Sequence, residues 1–254
     1  MDARRAGRGG PGGQEEAEKV NSLLLLDEDL ITPHRARLSG RRLVHAREVL
    51  GARPGDSLRV GRIGGRMGTG RIVTMDAEVL ELELELHEDP PPKLPLTLIL
   101  ALPRPKALDR CLQSAASLGI ARIVLLNAWR VEKAYWSTPK LEAEHLREQL
   151  ILGLEQSRDT VLPELRLARL FVPFMEKELP LFAEGGRGLL AHPGAEQSCP
   201  RGLREPAVLA LGPEGGWIAA ELESFARAGF EPVSMGPRVL RTETALAALV
   251  GRLA

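Results

Sequence analysis

The sequence has few cysteines and no cluster of them. Its 254 residues include two cysteines, Cys111 and Cys199, which lie far apart and form no CxxC pair. A disulfide framework or a structural zinc site needs several ligands at short spacing, so neither is predicted. We therefore expect a protein without a metal, and this cysteine usage favours the reducing cytoplasm as its location.

Long apolar runs are also missing. Stretches such as LPLTLILAL at 94–102 are too short to cross a bilayer. LLLL at 23–26 is shorter than the apolar region of a signal peptide, and acidic residues follow it. We therefore expect no membrane partner.

The chain has no net charge, since 34 basic residues balance 34 acidic ones, but the charges are unevenly distributed. Residues 30–73 contain ten arginines and two acids, and residues 74–89 contain seven acids and no lysine or arginine. A basic surface of this kind suits contact with phosphate groups. It equally suits a solvated face that pairs with the acidic segment, and both interpretations stay open.

Composition divides the chain into four segments. Residues 1–21 are rich in Gly, Arg and Glu, which predicts a flexible tail. Residues 22–89 contain short strand patterns and one helical pattern, which predicts a small, mostly β domain. Ser39 is the predicted N-cap of that helix, and Leu43, Ala46, Val49 and Leu50 have the spacing of one apolar helix face. Residues 90–95 are proline-rich and form a predicted linker. Residues 96–254 alternate strand and helix patterns, which predicts an α/β domain with a mainly parallel sheet.

Helix start signals are clear in the second domain. Pro105 begins a helix that ends before Gly119, and Thr138 with Pro139 marks the start of a long helix over residues 138–157. A final short helix follows Arg241 and is apolar on much of its surface. We expect a symmetric homodimer to bury that helix.

Three loops rich in glycine and proline each follow a predicted strand. They are AHPGA at 191–195, LGPEGGW at 211–217 and MGPRVLRTETA at 235–245. The carboxyl ends of parallel strands meet at one edge of a sheet, where ligands bind in such folds. Glycines let something approach the backbone closely, so we predict one ligand pocket built largely of main chain.

The second and third loops carry a family resemblance. LGPEGGW, followed further along by MGPRVLRTETA, resembles the paired signature of the ribosomal RNA small-subunit methyltransferase E family. AHP at 191–193, EQSRDTVLP at 155–163 and LSGRRLVHAREVLGARPGD at 38–56 are also similar to family segments. The resemblance covers residues 22–254.

This resemblance implies a fold, a reaction and partners. The family's fold is a PUA-like β-barrel, here residues 22–89, followed by a SPOUT α/β domain with a deep C-terminal trefoil knot, assembled as a homodimer. Its reaction is the methylation of N3 of one uridine, position 1498, in 16S rRNA of the small ribosomal subunit, with S-adenosylmethionine (SAM) as donor. The residues that the resemblance assigns to SAM binding are His192, Leu211, Gly212, Pro213, Gly215, Gly216, Met235, Gly236, Val239, Leu240, Thr242 and Ala245.

Methyl transfer to uridine N3 requires removal of its proton and stabilisation of negative charge on the uracil ring. Arginine suits the second task because it stays charged and offers a planar set of donors. Arg241 is the first catalytic candidate and Arg238 the second, with Glu214 as a carboxylate that orients groups or accepts a proton. Trp129 and Trp136 fit either base stacking or burial in the dimer interface, and burial is favoured. The residues assigned to RNA contact are Arg41, Arg42, Arg59, Arg62, Arg66 and Arg158.

Departures from the family pattern leave other functions open. Gln113-Ser114 and Ser117-Leu118 stand where family members commonly have Gln-Lys and Glu-Leu. The alternatives are a non-catalytic RNA-binding protein on the same fold, or a related SPOUT methyltransferase with another RNA target. A nucleotide-binding oxidoreductase is disfavoured because GxGxxG is absent.

Overall fold

The computed structural model describes residues 22–254, and the predicted tail, residues 1–21, lies outside the described residues. The chain first forms a six-stranded sheet with strand order β1-β4-β5-β6-β3-β2. β1 pairs with β4 in parallel, and the other neighbouring strands are antiparallel. The strands are Leu23–Leu25 (β1), Leu30–Thr32 (β2), Arg35–Leu38 (β3), Ser57–Arg62 (β4), Met67–Met75 (β5) and Leu80–Glu88 (β6).

A short helix packs on this sheet. Helix α1, Gly40–Val44, begins directly after Ser39, as predicted, and continues as a π-helical turn over His45–Val49. Leu43 and Ala46 are buried in the core that β1, β4 and β6 also line. Val49 was predicted to share that apolar face but is 66% exposed. The wider π turn rotates later residues away from the 3.6-residue spacing on which the prediction rested.

The second sheet is wholly parallel, which confirms the predicted α/β class. Its strand order is β12-β10-β11-β7-β8-β9. β11 lies between β10 and β7, so the order of the strands reverses there. The strands are Leu94–Ala101 (β7), Ile120–Leu126 (β8), Glu164–Ala168 (β9), Arg187–Ala191 (β10), Ala207–Leu211 (β11) and Glu231–Val233 (β12).

Helices cover this sheet and share one large apolar core with it. Helix α2 packs against α3 and α7. The aromatic rings of Phe171, Trp217 and Phe230 surround Phe225 at centroid distances of 5.0 to 6.0 Å. No helix in residues 22–254 has both the length and the apolar character needed to cross a membrane. The helices are Pro105–Ser117 (α2), Ala143–Ser157 (α3), Phe171–Pro173 (α4), Leu179–Ala183 (α5), Ala219–Arg227 (α6) and Thr242–Leu253 (α7).

The two predicted helix starts have different outcomes. Helix α2 begins at Pro105, and Gly119 after its end has φ +74°, the left-handed conformation that favours glycine. The predicted start of the long helix at Thr138 was wrong. Thr138 caps only the 3₁₀ helix Pro139–Leu141, and α3 begins at Ala143 after an extended residue. Capping chemistry is the same for both helix types, so the sequence pattern does not separate them.

The last helix, α7, is buried more completely than its sequence suggests. Leu246, Leu249, Val250 and Leu253 are each at most 2% exposed within the single chain. The premise that a second chain must cover these apolar residues was therefore wrong. The homodimer stays an expectation that rests on the family resemblance.

A polar junction joins the first sheet to the end of α3. The backbone oxygen of Glu155 accepts hydrogen bonds from the Ser22 amide, at 3.1 Å, and the Ser22 hydroxyl, at 3.2 Å. Its buried carboxylate accepts from the Leu24 amide and from the Arg41 guanidinium, at 3.3 and 3.1 Å. Thr160 continues the junction, because its hydroxyl donates to Gly65 O at 2.6 Å. The EQSRDT segment at 155–160 therefore fastens one unit to the other.

Replacing Glu155 by alanine is expected to lower the free energy of unfolding by about 1–3 kcal/mol, because it leaves the buried Leu24 amide without an acceptor. Glu148→Ala is the matched control in the same helix, since Glu148 is half exposed and lies 3.9 Å from Arg41. We expect the free energy of unfolding of that variant to fall by no more than about 0.5 kcal/mol. Chemical denaturation measures the stability of both variants. Equal losses would contradict the structural role given to Glu155 at the junction.

Both cysteines are buried and are expected to be chemically inert in the folded protein. Burial raises the pKa of the Cys111 thiol to about 12 and also raises that of Cys199. The thiolate is the reactive form, so at pH 8 a chromogenic thiol reagent should modify neither residue until the protein is unfolded. Rapid modification of the native protein would contradict this burial.

Candidate functional site

The three predicted loops meet at one edge of the parallel sheet. β12, β10 and β11 are consecutive neighbours, so the loops that follow them leave the sheet side by side. Together with the start of α7 they enclose a cavity of about 850 Å³. All twelve residues assigned to SAM binding line this cavity, as do the catalytic candidates Arg241, Arg238 and Glu214. A volume of this size suits a nucleoside-sized ligand.

Gly212 leaves room for the side chain of Trp217. A Cβ atom at Gly212 would lie 3.0 Å from Trp217 Nε1, so the buried indole ring packs directly on the glycine. The same Nε1 atom has no hydrogen-bond partner within residues 22–254. An indole N–H is a donor only, and this one is enclosed by the protein without an acceptor in the described residues. Gly216 has φ +74° and closes the turn.

An arginine from another loop covers Gly215. The Arg130 guanidinium donates to Gly215 O, and a Cβ atom at Gly215 would lie 3.1 Å from Arg130 Cδ. Arg130 follows β8, whose carboxyl end lies at the same edge of the sheet. The sequence interpretation missed this residue, although a basic residue directly after a parallel strand is the signal that could have found it.

Further basic residues at the cavity come from the start of α2 and were also missed. Arg104, Lys106 and Arg110 line it from this side. Arg110 Nη2 lies 3.0 Å from Glu243 Oε1, and the Arg104 amide donates to Glu214 Oε1 at 3.1 Å. Cations therefore outnumber carboxylates around the opening, which favours an anionic substrate.

Arg238 and Arg241 are exposed cations of this site that have no carboxylate partner among the described residues. Neither lies within 4.0 Å of an acidic oxygen in residues 22–254, and both line the cavity. Arg241 is the N-cap residue of α7, the positive end of the helix dipole, where a cation is unfavourable. A guanidinium that is neither paired nor well placed for helix stability is available to a ligand.

The two carboxylates in the cavity hold structural positions. Glu214 accepts a hydrogen bond from the amide of Arg104, the N-cap residue of α2. This bond connects the loop at 211–217, called the glycine loop below, to that helix. A hydrogen bond to its own backbone amide and the Arg110 guanidinium hold the pKa of Glu243 below its usual value. Glu243 is therefore ionised at neutral pH and has little tendency to accept a proton.

His192 has a defined structural contact. Its Nδ1 atom accepts a hydrogen bond from the Gly194 amide at 3.2 Å, and its own amide donates to Val233 O at 2.9 Å. With Nδ1 as the acceptor, a neutral ring carries its proton on Nε2. The ring stabilises the turn after β10 while it lines the cavity.

The arginines assigned to RNA contact lie outside the cavity, and carboxylates lie close to many of them. Arg42 pairs with the buried Asp29, and its side chain is 16% exposed. Arg62 and Arg66 are more than half exposed and lie 3.0 and 3.1 Å from their partner oxygens. Arg158 adopts the left-handed conformation, φ 54°, at the end of α3. The remaining pairs are Arg41 with Glu155 and Arg59 with Glu88.

Sheet register explains much of this pairing. β3 and β5 both pair with β6, which places Arg37 opposite Glu81 and Arg71 opposite Glu83. The oxygen–nitrogen distances of these pairs are 2.7 and 2.6 Å. The basic and acidic blocks therefore neutralise each other to a large extent, and contact with RNA stays a prediction for these arginines.

The residues that depart from the family pattern lie away from the loop cavity. Gln113 Nε2 donates to Gln149 Oε1 at 2.7 Å, and Ser117 Oγ donates to Gly153 O at 2.8 Å. Both contacts join α2 to α3 and line a separate cleft of about 560 Å³. None of these four residues lines the loop cavity.

The cavity offers the groups that a SAM molecule needs. Within residues 22–254, the amides of Met235, Gly236, Val239 and Leu240 donate to no other group of the chain. Free main-chain donors suit the nitrogen and hydroxyl groups of adenosine. Apolar walls that include Leu211, Val233 and Leu249 suit its base. No group of three or more metal-binding side chains occurs in the described residues.

Comparisons with known proteins identify the family of this chain. The family model described as an RNA methyltransferase domain matches residues 90–254. The ribosomal RNA small subunit methyltransferase E of Treponema pallidum is 30% identical over 234 residues, which cover 89% of this chain and 88% of that protein.

Solved structures share the fold. A methyltransferase of Legionella pneumophila in complex with SAM is similar with a TM-score of 0.68 and 26% identity, over 91% of this chain and 96% of that one. The ribosomal RNA small subunit methyltransferase E of Neisseria gonorrhoeae, bound to SAM, has the same TM-score at 24% identity, over 91% and 95%. Because the family model covers more than half of the sequence and the Treponema relative most of it, the chain belongs to the ribosomal RNA small subunit methyltransferase E family of RNA methyltransferases.

Proposed function

We propose that this protein transfers the methyl group of SAM to N3 of a uridine in 16S rRNA of the small ribosomal subunit. The observation that carries the proposal is the single cavity in which the SAM and catalytic candidates from three separate loops meet. Family membership supports the same reaction.

Main-chain groups and apolar side chains hold the adenosyl part in this proposal. The amides of Gly236 and Leu240 would donate to it, and Leu211 and Leu249 would pack against its base. When bound, SAM supplies an electrophilic methyl group on its sulfonium sulfur. Recognition by backbone leaves the arginine side chains free for the RNA.

Arg241 and Arg238 act on the uracil ring. Loss of the N3 proton spreads negative charge over the two carbonyl oxygens of the base, and a fixed guanidinium stabilises that charge most where water is excluded. Arg241 is the first candidate because α7 fixes its backbone at the cavity. Glu214 orients the glycine loop through Arg104, and the low pKa of Glu243 argues against it as the base.

The finer features of the family belong to the same proposal. They are a PUA-like barrel formed by the first sheet, a trefoil knot formed by the loops of the second, a homodimer and a cytoplasmic location. Contact with RNA by the exposed Arg62 and Arg66 is also included, since surface ion pairs are weak enough for a phosphate to replace the carboxylate.

Mass mapping of small-subunit rRNA tests this function in cells. A strain that lacks the gene should lose one 3-methyluridine, and the intact gene should restore it. An rRNA that keeps every methylated uridine would contradict the proposal. Loss of a methyl group at another site would favour a related enzyme with a different target, and an unchanged rRNA with intact RNA binding would favour the non-catalytic protein.

A further inference from the structure

An exposed tryptophan follows β8 directly before Arg130, which lines the cavity, and has no role in the proposed SAM site or in methyl transfer. Trp129 is 80% exposed, whereas Trp217 is 6% exposed. Trp136 is half-buried, with Nε1 donating to Asn127 Oδ1 at 2.8 Å and the Arg169 guanidinium 4.9 Å above its ring. A free indole surface is unusual for so apolar a side chain, and it requires an explanation.

The backbone of Trp129 is fixed relative to the glycine loop. The buried carboxylate of Glu221 accepts from the Trp129 amide at 2.7 Å and from the Ile218 amide at 2.9 Å. The next residue, Arg130, donates to Gly215 O. The loop after β8 is therefore fastened at two points to the loop that lines the cavity, while the indole ring stays free.

Basic residues of the same loop and of the neighbouring cavity favour an anionic partner. Arg130 and Arg104 line the neighbouring cavity, and Lys133 is exposed a few residues further along. A rigid aromatic face beside cations is the usual platform for a single-stranded nucleotide, whose base stacks while its phosphate meets the cations. A second copy of the chain suits this surface less well, because interface cores are depleted in charged residues.

We propose that Trp129 stacks on a base of the RNA substrate next to the uridine that enters the cavity, with Arg130 beside the adjoining phosphate. This inference rests on RNA as the substrate. It adds a positioning residue that holds the RNA strand and takes no part in the chemistry. The alternative occupant of this surface is a second copy of the chain, because the sequence analysis favoured burial of Trp129 in a dimer interface.

Affinity for purified small-subunit rRNA tests the proposal with two variants and a control. Trp129→Ala should weaken RNA binding by about tenfold or more, and Trp129→Phe should keep most of the affinity because it retains an aromatic face. Leu181→Ala removes a similarly exposed apolar side chain, 72% exposed, from α5, outside the cavity, and should have no effect. Calorimetric SAM affinity should be the same in all four proteins.

Fluorescence and assembly measurements separate the possible outcomes. Addition of rRNA should quench the tryptophan emission of the unmodified protein and quench that of Trp129→Phe much less. Unchanged RNA affinity of Trp129→Ala would overturn the proposal, and so would conversion of a dimer to monomer by this substitution. If Trp129→Ala loses RNA affinity while the intact protein forms a product other than 3-methyluridine, stacking is supported and the uridine-N3 assignment fails.

Discussion

Replacing Arg241 by alanine is expected to lower the rate of methyl transfer by about a hundredfold or more, which is the usual cost of removing one fixed donor to a developing oxyanion. SAM affinity should change little, because main-chain groups hold the cofactor in the proposed site. Single-turnover transfer of labelled methyl to small ribosomal subunits measures the rate, and calorimetry measures the affinity.

Two further variants give this prediction its controls. Arg241→Lys should recover only part of the rate, since lysine keeps the charge but not the planar pair of donors. Arg227→Ala removes an exposed arginine from α6, outside the cavity, and should keep the full rate. Full activity of Arg241→Ala would assign charge stabilisation to another residue, with Arg238 the next candidate.

Filling the cavity from α7 is expected to abolish most SAM binding. Ala245 lines the cavity, so Ala245→Phe should weaken SAM binding by about a hundredfold or more through steric exclusion. Calorimetry of the folded variant measures this loss, and circular dichroism confirms that the fold is retained. Gly215→Val is a less direct test, because its side chain meets Arg130 before it fills the cavity.

Ala226→Phe provides the matched control for this substitution. Ala226 is exposed on α6 and outside the cavity, and the change carries the same helix-propensity cost. It should bind SAM with unchanged affinity. Equal affinity of Ala245→Phe and the unmodified protein would place the cofactor elsewhere.

The position of the cavity could be predicted from sequence because it follows from topology. Parallel strands place their carboxyl ends at one edge, so loops at 191–195, 211–217 and 235–245 had to be neighbours once the strands were recognised. The same argument extends to the loops after β7 and β8. Arg104 and Arg130 were missed because that extension was not made.

Other features depend on contacts that sequence patterns do not encode. The glycine at 212 was expected to admit a ligand, yet the Trp217 indole already packs on it. The pairing of arginines with carboxylates depends on the register of β6 with β3 and β5. That register is set by tertiary packing and cannot be read from the sequence pattern. The burial of α7 likewise depends on its packing against α2.

Nucleoside analysis of the reaction product tests the central claim most directly. Small ribosomal subunits from cells that lack the gene would be incubated with the purified protein and SAM carrying a labelled methyl group, and their rRNA digested to nucleosides. We expect the label in 3-methyluridine alone. Label in a ribose or in another base, or no label from a protein that binds SAM, would contradict the assignment.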